Sequence, residues 1–105
     1  KEFYALARVP SKSREALKLG KELFKDPRNR VPSLVTNIFV LENRLHVPEK
    51  DRIPFRELYP TDDIARDMMS THLANSLRYP VDGLRETLES LPEANPDDPA
   101  PDGKD

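Results

Sequence analysis

The chain has 105 residues, 17 Lys and Arg against 19 Asp and Glu, 11 prolines, two methionines and no cysteine. That length specifies one domain with one modest core. The missing cysteines exclude a disulfide, a thiolate metal site and a thiol nucleophile, and fit a reducing compartment. Val, Leu, Ile and Phe make up 26 residues, about a quarter of the chain, which is above the range of intrinsically disordered sequences. The longest aliphatic-aromatic run, Ile38 to Leu41, is far too short to cross a bilayer as a helix. No secretory leader is visible, and a start at Lys1 rather than Met is read as a sign that a preceding segment was removed.

The net charge of −2 conceals a gradient. Residues 1–30 carry nine basic and four acidic side chains, residues 31–60 four of each, and residues 61–105 four basic and eleven acidic. Such polarity implies partners of opposite sign, head-to-tail association, or attraction between the two ends of one monomer.

Seven apolar residues are each followed at once by proline, at Val9, Val31, Val47, Ile53, Tyr59, Tyr79 and Leu91. Proline fixes its own φ, removes an amide donor and pushes the preceding residue out of the α region, so each pair is a joint between folding units. In chain order, residues 2–8 form a short apolar stretch whose Ala and Leu favour helix. A first full helix runs from Ser11–Ser13 to Lys25, with a serine as cap. Ala16, Leu19 and Leu23 form its predicted apolar face, with Leu17 and Phe24 to one side. Asp26 to Asn29 is a turn. A second helix fills 33–46, where Leu34, Ile38, Leu41 and Leu45 recur at helical spacing.

Residues 47–60 hold three joints and read as an irregular connector, with one turn at Phe55–Tyr59, that could lie along another protein. A third helix runs from Thr61 to Arg78, with Asp62 and Asp63 suiting its positive end. A fourth spans 80–91, where Val81, Leu84, Leu88 and Leu91 form a narrow seam. Everything after Leu91 lacks a large apolar residue and is expected to be disordered alone. The expectation is therefore an all-α fold: a small bundle of about four helices over 1–91 with Pro-rich joints, and a disordered acidic, Pro-rich tail over 92–105. The predicted core is Leu19, Leu23, Leu34, Ile38, Leu41, Leu45, Met68, Leu73, Leu77, Leu84 and Leu88.

Chemistry is sparse. His46 sits at the end of the second helix, where an imidazolium suits the negative pole, and His72 lies on the apolar face of the third and reads as a core-edge histidine bonded to a neighbour. Neither has a metal-ligand spacing. Three glycines cannot build a phosphate loop or a nucleophile elbow. The sequence thus predicts no catalytic, cofactor or metal residue and a non-enzymatic role. The sharpest pattern is basic: Arg14, Lys18, Lys21 and Lys25 form one ridge of the first helix, which Arg28 and Arg30 extend. A line of cations can meet an acidic protein surface or track phosphates. No aromatic residue is interleaved to stack bases, and the chain has no glutamine. The expected function is a non-catalytic, protein-binding accessory or scaffold subunit of a larger assembly, with the six ridge residues as the partner contact. The alternatives are a nucleic-acid-binding module using the same ridge, and a small regulatory helical dimer joined through Leu84, Leu88 and Leu91.

Overall fold

The computed structural model describes residues 2–75 and 83–92. Among the described residues the fold is all-α, with no strand and six α-helices: α1 (Glu2–Ala7), α2 (Ser13–Phe24), α3 (Pro32–Arg44), α4 (Phe55–Leu58), α5 (Asp62–Asn75) and α6 (Leu84–Ser90). Short 3₁₀ turns at Pro10–Lys12, Pro27–Asn29 and Glu49–Asp51 link them. The expected count of four is exceeded because residues 2–8 and the turn at Phe55 each form a separate helix. The tail from residue 93, and Leu77 of the expected core, lie outside the described residues.

Proline punctuates this chain as its chemistry dictates. Val9, Val31 and Asp26 are extended, and the prolines that follow open helical turns where no amide is needed. The second expected helix starts one residue early, at Pro32, and stops at Arg44. His46, φ 54°, is the only non-glycine residue with positive φ among the described residues. Its amide donates to the Asn43 carbonyl (3.1 Å) and the Val47 amide to the Glu42 carbonyl (3.0 Å), the paired bonds that close a helix through a left-handed residue. The imidazole therefore lies beyond the helix end rather than on its last turn. α5 starts one residue later than expected, at Asp62, with Thr61 before it accepting the Ile64 amide through Oγ1 at 3.2 Å. α6 begins later than expected, at Leu84, behind a left-handed Gly83 with φ 77°.

α3 is the central element. Of its thirteen residues, Leu34, Val35, Thr36, Ile38, Phe39, Val40, Leu41 and Glu42 are buried, which marks a helix enclosed on nearly all sides. It packs against α2, α4 and α5, while α1 packs on α2 and α6 on α5. The expected core is only partly the observed one. Leu34, Ile38, Leu41 and Leu84 are buried, whereas Leu19, Leu23, Leu45, Met68, Leu73 and Leu88 are half-buried at its margin.

The largest departure is the rotation of α2. Its buried face is Ser13, Ala16, Leu17, Gly20 and Phe24, about 80° around the axis from the expected Ala16–Leu19–Leu23 face at about 100° per residue. Small residues decide this. A Cβ on Gly20 would lie 2.7 Å from the Phe3 ring and 3.2 Å from Ile38 Cγ1. With Ala16 one turn away, α2 offers α1 and α3 a flat strip that admits bulky partners, and Leu19 and Leu23 move to the flank.

The connector lies along its own chain. Glu42, 1% exposed on α3, accepts the Ile53 amide through Oε2 at 3.0 Å. Lys21 Nζ approaches that oxygen to 3.5 Å and donates to the Asp51 carbonyl at 3.1 Å. Arg52 donates from Nε to the Val47 carbonyl (2.7 Å) and from Nη1 to Asn43 Oδ1 (2.6 Å). Further on, Phe39, Phe55 and Tyr59 form an aromatic cluster with centroids 5.1–6.1 Å apart. The fully buried Tyr59 hydroxyl donates to Thr36 Oγ1 at 2.9 Å, and burial pushes its pKa up to about 12.

Gly20→Ala drives a methyl into the Phe3 ring, so it should destabilise the fold by about 1–3 kcal/mol in a denaturant titration. Glu42 should reveal itself through pH. Burial holds its carboxyl above the usual carboxylate range, while the Ile53 amide, Lys21 and Arg52 pull it back. The folded chain then binds this proton more tightly than the unfolded chain, so Glu42 contributes most below its unfolded pKa and less as pH rises through its folded pKa. Glu42→Gln keeps an acceptor for Ile53 and removes that titration. Denaturation from about pH 4 to about pH 7 should therefore shift the stability difference progressively in favour of the variant.

Candidate functional site

The basic ridge is not a row of equivalent charges. With the core of α2 centred between Ala16, Gly20 and Phe24, the ridge lies on a flank of the helix rather than opposite its buried face. Lys21 is at the core edge of that flank, its side chain 33% exposed and committed to Glu42. Lys25 pairs with Glu22 at 3.2 Å. Arg28 clasps Asp26 through Nε (3.1 Å) and Nη2 (2.8 Å), which lowers the Asp26 pKa and raises that of Arg28. Arg30 donates to the Phe24 carbonyl at 2.8 Å and lies 4.1 Å over the Phe24 ring. Arg14 and Lys18 alone among the six are exposed and without a hydrogen bond or ion pair to the described residues.

A second feature arises from three elements and has no signature in any one of them. α1, α3 and α5 enclose a groove of about 740 Å³. Its floor is the α3 stripe Ser33, Asn37, Val40 and Arg44, which spans an arc of about 60° at about 100° per residue. One wall is α1 with Tyr4, Ala7 and Arg8; the other is α5 with Met68, Thr71 and His72. Pro10 and Pro32 stand at its edge.

Hydrogen bonds hold the α1 wall in place. Tyr4 Oη and Ser33 Oγ are 2.8 Å apart, tying α1 to the start of α3. Arg44 Nη1 donates to the Ala7 carbonyl and to the buried Ser13 Oγ, both at 3.3 Å. Asn37 Nδ2 donates to the Ser33 carbonyl at 2.8 Å. These groups are satisfied within the chain. Arg8 on one rim and Asp67 on the other are exposed and have no bonded or ionic partner among the described residues.

His72 is half-buried in the α5 wall, and burial lowers its pKa. The neighbour expected to hydrogen-bond it is not found among the described residues. His46 is exposed beyond the end of α3 and lies outside the groove. Among the described residues no three His, Cys, Asp or Glu side chains are grouped to hold a metal ion. No described helix is long and apolar enough to cross a membrane. A shallower recess of about 390 Å³ lies on the other side of α1, where the displaced Leu19 and Leu23 meet Phe3, Val31 and Leu34. No family model matches the chain, and no curated protein or solved structure matches it either.

The unequal ridge predicts unequal mutants. Lys18→Glu should change stability by no more than about 0.5 kcal/mol. Lys21→Glu places a carboxylate against the buried Glu42 and should cost about 1–3 kcal/mol in the same denaturant titration.

Proposed function

We propose that the chain is a non-catalytic protein-binding module, an accessory or scaffold subunit of a larger assembly. One observation carries this reading. Among the described residues the central helix α3 is enclosed by its neighbours except along the groove between α1 and α5, where half-buried Tyr4 and Met68 face each other over the floor of Ser33, Asn37 and Arg44. No described helix fills that sector, which leaves room for a partner segment. Arg14 and Lys18 serve this reading as exposed charges that steer an acidic partner. Lys21, Lys25, Arg28 and Arg30 act first on their own chain.

The nucleic-acid alternative is weakened by the same geometry. Tracking a phosphate backbone takes several exposed cations along a line, and the ridge keeps two without a partner among the described residues. A helical dimer through Leu84, Leu88 and Leu91 is weakened by the burial of Leu84 within the monomer.

The chain should show no saturable binding to generic duplex DNA or single-stranded RNA at physiological salt, and should sediment as a monomer. A photo-crosslinker at Thr71 should join an identifiable protein, and the purified pair should bind with fixed stoichiometry. Micromolar nucleic-acid affinity that falls linearly with log salt, abolished by Arg14→Glu with Lys18→Glu, would replace this function with the nucleic-acid one.

A further inference from the structure

Granted the protein-binding function proposed above, the groove also specifies the shape and charge of the partner segment. Its floor and both walls are helical, and the α5 wall from Asp67 to Asn75 is about 12 Å long at 1.5 Å per residue. That accommodates two turns in contact and a third at the ends. Its section is the one sector of α3 that no described helix covers. Within it, Tyr4 and the polar side chains of the floor bond to their own chain, as Tyr4 does with Ser33 and Asn37 with the Ser33 carbonyl, whereas the side chains of Arg8, Asp67, Thr71, His72 and Asn75 have no bonded partner among the described residues.

Two of the groups without a partner are charges on opposite walls. Arg8 stands on the α1 rim and Asp67 on the α5 rim, neither with a partner among the described residues. We infer that the groove seats one amphipathic α-helix of a protein partner. Its apolar stripe contacts Met68 and the Tyr4 ring. A carboxylate on one flank meets Arg8, and a basic residue on the other meets Asp67. The occupant is thus neither uniformly acidic nor uniformly basic, but split in charge between its two flanks. Apolar residues at i, i+3, i+4 and i+7 supply the burial, and the two rim charges fix its direction in the groove.

The chain contains its own reporter. Its two methionines are adjacent in sequence and opposite in environment: Met68 lines the groove and Met69 is fully buried. With ¹³C-labelled methionine methyls, the full chain is titrated with three helical peptides of about 14 residues. All share one apolar stripe; their flanks carry Glu and Lys, Glu on both sides, or Lys on both sides. The mixed peptide should move the Met68 methyl, leave Met69 in place, and bind about two- to fivefold more tightly than either uniform peptide. Arg8→Glu makes both rims acidic and should transfer the preference to the Lys/Lys peptide.

Three results would overturn the inference. One is no Met68 shift with any peptide at about 1 mM. Another is equal affinity for all three, unchanged by Arg8→Glu. The third is a Met68 shift produced in the free protein by deleting residues 93–105, with no peptide bound by either form, which would give the groove to the chain's own tail. None of these depends on the crosslinked partner, so the broader protein-binding function stands or falls separately.

Discussion

The buried carboxylate of Glu42 is the point on which this fold turns. It sits where α3 ends, and it holds the connector twice. Its backbone carbonyl receives the Val47 amide and its side chain receives the Ile53 amide. Between those two bonds the chain turns through the Val47-Pro48 joint and returns to α3. Lys21 reaches the same carboxyl group from α2, so α2, α3 and the connector meet on one side chain. A buried charge is costly unless it is hydrogen-bonded and a countercharge is near, and Glu42 Oε2 has both the Ile53 amide and Lys21. No side-chain polar atom buried among the described residues lacks a partner. With the connector fixed, Phe55 and Tyr59 enter the aromatic cluster with Phe39, and α5 starts directly after. The wall that α5 lends to the groove is therefore set by an interaction on another side of α3.

Helical periodicity makes the class of fold and the central helix legible. Leu34, Ile38 and Leu41 recur at the spacing that a buried stripe demands, and all three are buried. The same reasoning fails on α2, because it weights leucines by hydrophobicity and ignores shape. Ala16 and Gly20 bury no large side chain, yet they permit the closest helix approach and so set the rotation of the helix. Glu42 escapes it for a related reason. It lies four residues after Ile38, on the stripe that reads as core, and a charged residue in that place is itself a signal of a buried, satisfied ion. Lys21 could not be paired with it from sequence, since the contact joins two helices.

The ridge and the groove differ in legibility for the same physical reason. A ridge is a property of one helix and can be read from 3–4 spacing. Its availability is not, because each cation can be claimed by a neighbour: Asp26 takes Arg28 from two residues away, and Glu42 takes Lys21 from another helix. The net charge of the first thirty residues is thus a poor guide to the surface they offer. The groove is a property of three elements and has no linear pattern. Met68 and His72 read as an apolar face of the third expected helix, which is correct as to side. That α1 would leave a gap opposite them arises only from its docking on α2.

The dependence runs from packing to recognition. α1 is six residues long, too short to hold its helical form by itself in water. Phe3 anchors it, fully buried in the space that Gly20 leaves, and Tyr4 and the Ala7 carbonyl bond it to Ser33 and Arg44. The α1 wall therefore exists because α2 turned its small residues inward. Had Leu19 and Leu23 been buried as their hydrophobicity alone implied, Phe3 would have lost its seat. The rim that carries Arg8 would then not stand across from α5. The rotation that moved two leucines out of the core is the same one that makes the groove between α1 and α5.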